Sequence, residues 1–248
     1  MDADFKQYFI TRWEKYFPGV ALPVCYFYTD QVNEEDRKNS GEHDCLIGNL
    51  NRVRAGKVFV YNAKARGCSG GKRFSGYSQK LRADFPYFLS CGIPGLFSGE
   101  RYKKSPALVK TFFKHLTPYR APGKYLVFKR WDMLEADDDP QAVIFFATVN
   151  VLSGLFTLAN FDIAEPDGVI APFGSGCASI IYYPVMEANS AAPRCVLGMF
   201  DASARPEVPN DTLTLTVPMR RFETMVRNMD ESFLITPSWE AVKKRLHK

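Results

Sequence analysis

Residues 143–159, VIFFATVNVLSGLFTLA, decide the class of fold. The first five form a continuous apolar run of strand length, and residues 149–159 have the length and apolar character of a buried helix. A strand that leads directly into a buried helix is typical of proteins in which helices cover a sheet. We therefore expect both kinds of element in one layered core.

Further candidates for strands and helices alternate on both sides of this stretch. Short apolar runs predict strands at residues 24–28, 58–61, 125–129, 169–171, 180–183, 195–200 and 212–217. Helical spacing and end signals predict helices at residues 4–17, 45–55, 85–90 and 105–115, and two more after Arg220. We predict an α/β or α+β fold, a single domain over residues 1–248 with a mixed central sheet and flanking helices. The acidic turn at 135–140 is the candidate boundary inside it.

The composition limits the classes of function. Hydrophobic residues make up 46% of the 248 positions and the net charge is +5, so a full core is expected and an anionic ligand is permitted. The basic residues are scattered, which does not favour nucleic-acid binding. The N-terminus lacks the pattern of a signal peptide, and no stretch reaches the ~20 apolar residues of a membrane span. We expect a cytoplasmic protein.

The six cysteines are the residues most informative about function. Thiols stay reduced in the cytoplasm, so we expect metal ligands, nucleophiles or core residues instead of disulfides. Glycines flank Cys68 in GCSGGKR (67–73) and Cys177 in GSGC (174–177), where they permit close approach and leave amide groups free. Cys91 and Cys45 have similar settings. Cys25 and Cys195 lie in apolar runs and are predicted to be core residues.

Thiolates gathered from distant loops are the ligands of an iron–sulfur cluster. We predict a 4Fe–4S cluster held by Cys45, Cys68 and Cys177, with Cys91 as a fourth candidate; three ligands would leave one iron open to substrate. The absence of paired CxxC spacing makes a zinc site less favoured. His43, two residues before Cys45, is a further candidate ligand or base.

Basic residues near these cysteines could clamp a small anionic substrate, and the candidates are Lys72, Arg73, Arg101 and Arg205. Asp201 follows a predicted strand, where α/β proteins often place active groups. Three alternatives to a cluster stay open: a metal-free module that binds a small anion, an enzyme with Cys68 or Cys177 as nucleophile or redox thiol, and turns with incidental cysteines. Substrate, reaction and oligomeric state are left open.

Several motifs in order resemble one known family. They are GCSGGKR, LSCGIPGLFSGERY, GLFTLANFD, VIAPFGSGCASI, VLGMFDASARP and ESFLITPSW. Together they resemble the family called domain of unknown function 169, over almost the whole chain. The resemblance implies a protein of bacteria or archaea, many of them anaerobes, and brings no activity or catalytic residue with it. It also favours Cys45, Cys68 and Cys177 as the ligands and Cys91 as an optional one.

Overall fold

The computed structural model describes residues 1–38, 45–65 and 67–246. Its α-helices are α1 (Ala3–Tyr16), α2 (Glu34–Lys38), α3 (Leu46–Arg54), α4 (Ser69–Phe74), α5 (Phe85–Phe88), α6 (Pro106–Lys114), α7 (Val149–Leu158), α8 (Tyr183–Ala188), α9 (Met219–Asn228) and α10 (Pro237–Lys243). Its strands are β1 (Val24–Thr29), β2 (Phe59–Asn62), β3 (Gly92–Ile93), β4 (Phe97–Ser98), β5 (Tyr125–Arg130), β6 (Ala142–Ala147), β7 (Val169–Ile170), β8 (Cys195–Gly198) and β9 (Leu213–Pro218).

The main sheet has seven strands in the order β2-β5-β1-β6-β9-β8-β7. Neighbouring strands are antiparallel except β7 and β8, which are parallel, so the sheet is mixed. Strands β3 and β4 form a separate small hairpin. The predicted fold class is confirmed as α+β. Because β1 pairs with both β5 and β6, the strands before and after the acidic turn at 135–140 belong to the same sheet.

Helices cover both faces of this sheet, which explains why its central strands are apolar at consecutive positions. In β1, Cys25 and Phe27 point into one hydrophobic core, whereas Val24 and Tyr26 point into another. Side chains alternate between the faces of a strand, so a strand buried on both sides carries apolar residues at most of its consecutive positions. Helices α1, α7, α9 and α10 contribute to the first core, and α3 contributes to the second.

Local end signals work as the sequence predicts. The Ser105 Oγ accepts a hydrogen bond from the Leu108 N–H at 3.3 Å, and Pro106 occupies the first position of α6. Gly56 follows α3 with a φ of +83°, a left-handed conformation that glycine adopts without strain. Cys25 and Cys195 are fully buried, and their predicted place in the core is confirmed. No helix in the described ranges is long and apolar enough to cross a membrane.

The strand predicted at residues 180–183 is wrong. Residues Ala178–Tyr182 form a π-helical turn that leads directly into α8. All five residues of this turn are buried, so neither the twofold period of a strand nor the 3.6-residue period of a helix is visible in the sequence. A short, uninterrupted apolar run cannot distinguish the two structures.

Candidate functional site

Three of the predicted cysteines lie where helical segments begin. Cys45 precedes α3 and Cys68 precedes α4, both with extended backbone angles, whereas Cys177 already has helical backbone angles and leads into the π-helical turn. We call these three residues the cysteine site. They come from segments that are far apart in the sequence, so only the packing of the three helices onto the sheet brings them together.

Direct contacts between neighbouring residues show that the three segments meet. A Cβ atom placed on Gly71 would lie 3.8 Å from the Leu46 Cβ and 3.6 Å from the Cys68 Sγ. One placed on Gly176 would lie 3.3 Å from the Ile47 Cγ1. The start of α3 is therefore packed against α4 on one side and against the Cys177 segment on the other. The glycines beside the cysteines permit this close approach.

The electrostatics of the thiols report the same proximity. Burial is the largest cause of the raised pKa of Cys177, and the nearby thiolates of Cys68 and Cys45 raise it further. The pKa of Cys45 is also raised, mainly by burial, with Cys68 adding to the effect. Like charges raise one another's pKa values only when they are close. The three sulfurs therefore lie within electrostatic reach of one another.

The surroundings of the three sulfurs differ. Cys177 is 5% exposed, Cys45 is half-buried and Cys68 is exposed. The Cys68 Sγ accepts a hydrogen bond from the Gly71 N–H at 3.2 Å. The Cys45 side chain does not cap α3 with a hydrogen bond. The backbone N–H groups of Ile47 and Gly48 nevertheless face its sulfur and offset part of the rise in its pKa. The site thus opens to solvent on the side of Cys68.

Tyr61 forms the wall between the thiols and the sheet. It lies on β2 and is 4% exposed. Its pKa is raised, mainly by burial and further by the charges of Cys177, Cys68 and Cys45. A Cβ on Gly71 would lie 3.2 Å from its hydroxyl oxygen. That hydroxyl makes no hydrogen bond to another residue in the described part of the chain. No spacing pattern in the sequence marks Tyr61, because its place depends on strand pairing.

Two carboxylates also lie beside the thiols. The Asp201 Oδ2 accepts a hydrogen bond from the Gly176 N–H at 3.3 Å, and its charge adds to the raised pKa of Cys177. Glu207 contributes in the same way to the pKa of Cys45. A Cβ on Gly48 would come within 2.5 Å of the Glu207 Oε2, so this glycine leaves room for the carboxylate. Asp201 was flagged in the sequence, whereas Glu207 was not.

Cys91 lies in a different environment. It precedes the β3–β4 hairpin and is exposed, and its Sγ contacts the Gly92 carbonyl at 3.5 Å and the Ser90 Oγ at 4.0 Å. It is not among the charges that raise the pKa of Cys45 or Cys177. His43 lies outside the described residues.

The four basic candidates fall into two groups. Arg73 donates to the Gln79 carbonyl at 3.0 Å and stacks over Phe113, and Arg205 donates to the carbonyls of Pro209, Asn210 and Thr212. Lys72 on α4 is partly exposed, and Arg101 is exposed with a φ of +57°. Neither forms an ion pair with a residue that the structure describes.

Across residues 1–38, 45–65 and 67–246, no three His, Cys, Asp or Glu side chains are arranged to hold a metal ion. What the site offers is three separate thiols, two adjacent carboxylates and one buried phenol around a glycine-lined space.

A family profile matches residues 21–228, which is most of the chain. The family is domain of unknown function 169, described as "Uncharacterised ArCR". No curated protein and no solved structure matched the chain.

Proposed function

The chain belongs to the domain of unknown function 169 family, and for this member we propose an iron–sulfur protein whose cluster is held by Cys45, Cys68 and Cys177. One observation supports this assignment above the others: three thiols from three distant segments meet beside glycines, within electrostatic reach of one another. Cysteine thiolates are the common ligands of such clusters. Small neighbours leave space for a group larger than a single ion.

The sequence spacing of the thiols favours a cluster over a zinc ion. The three cysteines come from distant segments and lack the paired CxxC spacing of zinc sites. In a 4Fe–4S cluster each cysteine binds a different iron, so the sulfurs surround a group that is larger than a single ion.

The remaining residues of the site would tune such a group. Tyr61 keeps its proton because its pKa is raised, so its hydroxyl can donate a hydrogen bond to sulfur. Asp201 and Glu207 add negative charge, which lowers the reduction potential of a bound cluster. When bound, a cluster with three cysteine ligands supplies electrons and one iron open to an exogenous ligand.

A small anionic substrate is the ligand that we propose for the open side. Cys68 is the exposed member of the three, and Lys72 lies four residues after it on α4. Lys72 and Arg101 have no ion-pair partner within the described ranges, so their charges are available to an anion. Arg73 and Arg205 are less available to an anion, because their guanidinium groups already donate hydrogen bonds to backbone carbonyls.

The alternative is a metal-free thiol enzyme with Cys68 as the nucleophile. Its support is specific: the sulfur is exposed and accepts a hydrogen bond from the Gly71 N–H. An amide donor stabilises a thiolate, which is the reactive form of cysteine. A single thiol that alkylates much faster than the others, in a protein without iron, would favour this alternative.

The first test is the iron and sulfide content of the full chain purified without oxygen. We expect Cys45→Ser, Cys68→Ser and Cys177→Ser each to lose most of the bound iron, because serine is a poor ligand for a cluster. The matched control is Cys91→Ser, which removes an exposed thiol outside the cysteine site and is expected to keep the wild-type iron content. The proposal would be refuted if all four variants held equal amounts of iron, or if the wild-type protein and the variants held no iron after reconstitution.

A further inference from the structure

A second feature of the molecule is lined in part by residues 76–79, which follow the end of α4. It is an open groove of about 840 Å³. Four segments line it, namely Asp30, residues 62–64, residues 76–79 and residues 120–125. We call it the basic groove. Its volume falls within the range of about 300–1,000 Å³ that is usual for sites of small ligands.

The charge of the basic groove is unbalanced. Lys64, Arg120 and Lys124 line it, and none of them forms an ion pair with a described residue. The one carboxylate in the lining, Asp30, accepts a hydrogen bond from the Lys124 backbone N–H at 3.0 Å. Three cations that share one groove repel each other, and a bound anion would relieve that repulsion.

The walls of the groove are held in place by the protein itself. The Ala121 N–H donates to the Gly76 carbonyl at 3.1 Å, and the Gln79 side chain donates to the Tyr119 carbonyl. Gly76 has a φ of +82°, and a Cβ there would collide with the backbone of Ala121. The two walls are therefore joined before any ligand arrives, which lowers the entropic cost of binding.

A tyrosine forms part of the groove wall. Tyr77 lines the groove, and its hydroxyl is buried without a hydrogen-bond partner among the described residues. Its ring is fixed against Tyr28 and Tyr61, with centroids 6.2 and 6.1 Å away. A buried hydroxyl without a partner costs free energy unless something bonds to it.

We propose that the basic groove is a second binding site, which takes a small polyanion that carries phosphate or diphosphate groups. Lys64, Arg120 and Lys124 bind the phosphate oxygens. The site does not depend on the proposed cluster, since none of the three cysteines lines it.

The test is isothermal titration of the full chain with inorganic pyrophosphate and, separately, with ATP. We expect binding that weakens as salt is added, because the recognition is ionic. Arg120→Glu and Lys64→Glu should each raise the Kd by about tenfold or more, since each replaces an attractive charge by a repulsive one.

The matched control is Lys110→Glu, which makes the same charge change at an exposed position of α6 outside the groove. It should leave the Kd within about twofold. Equal Kd values for pyrophosphate and ATP would show that the phosphates are the recognised part. A lower Kd for ATP would show that the nucleoside is recognised as well. Both results support the site. No binding of either probe, an equal loss in Lys110→Glu, or binding only of a single-stranded RNA oligonucleotide would overturn it.

Discussion

Cys177 is the least accessible of the three thiols, and burial is the largest cause of its raised pKa. The thiolates of Cys68 and Cys45 and the Asp201 carboxylate act in the same direction. In the metal-free protein this thiol is therefore neutral at physiological pH. A metal or cluster must displace its proton, so loading of the site should be faster at higher pH.

The raised pKa of Cys177 has a consequence for stability. A thiol whose pKa is higher in the folded than in the unfolded chain stabilises the fold fully below about pH 8.5, the ordinary thiol value. That contribution is lost as the pH rises, because the unfolded chain releases the proton first. We expect the free energy of unfolding of the reduced, metal-free protein to fall above about pH 8.5, with Cys177 contributing up to about 1.4 kcal/mol per pH unit.

Urea denaturation between pH 7 and pH 10, in steps of about half a unit, measures this slope. The slope is compared between wild type and Cys177→Ser. The buried thiols of Cys25 and Cys195, whose pKa values are also raised, are present in both proteins, so their contribution to the slope cancels. We expect the variant to have the shallower slope, since serine does not ionise in this range. Identical slopes would mean that Cys177 is not the buried, electrostatically coupled thiol described above.

At the scale of one element, α4 carries Cys68 at its start and two consecutive glycines with different surroundings. A Cβ on Gly70 would meet only the Cys68 Sγ, at 3.9 Å. A Cβ on Gly71 would press against the Tyr61 hydroxyl at 3.2 Å and also contact Leu46 and Cys68. Gly70 therefore has room for a side chain, whereas Gly71 is the position at which α4 packs into the cysteine site.

These two glycines form a matched pair for mutation. Gly70→Ala should stabilise the protein by about 0.5–1 kcal/mol, because alanine loses less backbone freedom in a helix. Gly71→Ala has the same backbone gain but crowds the Tyr61 hydroxyl, so it should be less stable than Gly70→Ala by about 1–3 kcal/mol, and it should lower the iron content by displacing Tyr61. Chemical denaturation and an iron assay on both variants check the difference. Equal effects at the two positions would contradict the packing of α4 described here.

At the scale of the whole molecule, the sequence predicts the layers better than the site. The apolar stretch at 143–159 becomes β6 and α7, and the end signals at Ser105 and Gly56 mark the ends of two helices correctly. These features are local, so periodicity and turn chemistry are sufficient to find them.

The arrangement of the site depends on contacts that are distant in sequence. Glycine-flanked cysteines could be selected from local composition, but their convergence arises from the packing of α3, α4 and the π-helical turn. Tyr61 and Glu207 reach the thiols only through strand pairing and the loop after β8. The basic groove likewise joins segments about 90 residues apart, from Asp30 to Lys124.

The most direct test of the proposed cluster is the electron paramagnetic resonance spectrum of the anaerobically purified full chain, recorded after chemical reduction and, separately, after mild oxidation. Three cysteine ligands leave the fourth iron as the one most easily lost. The predicted result is a 4Fe–4S signal on reduction and a 3Fe–4S signal after oxidation, both absent in Cys177→Ser and both present in Cys91→Ser. A wild-type protein that shows neither signal after reconstitution with iron and sulfide would contradict the account.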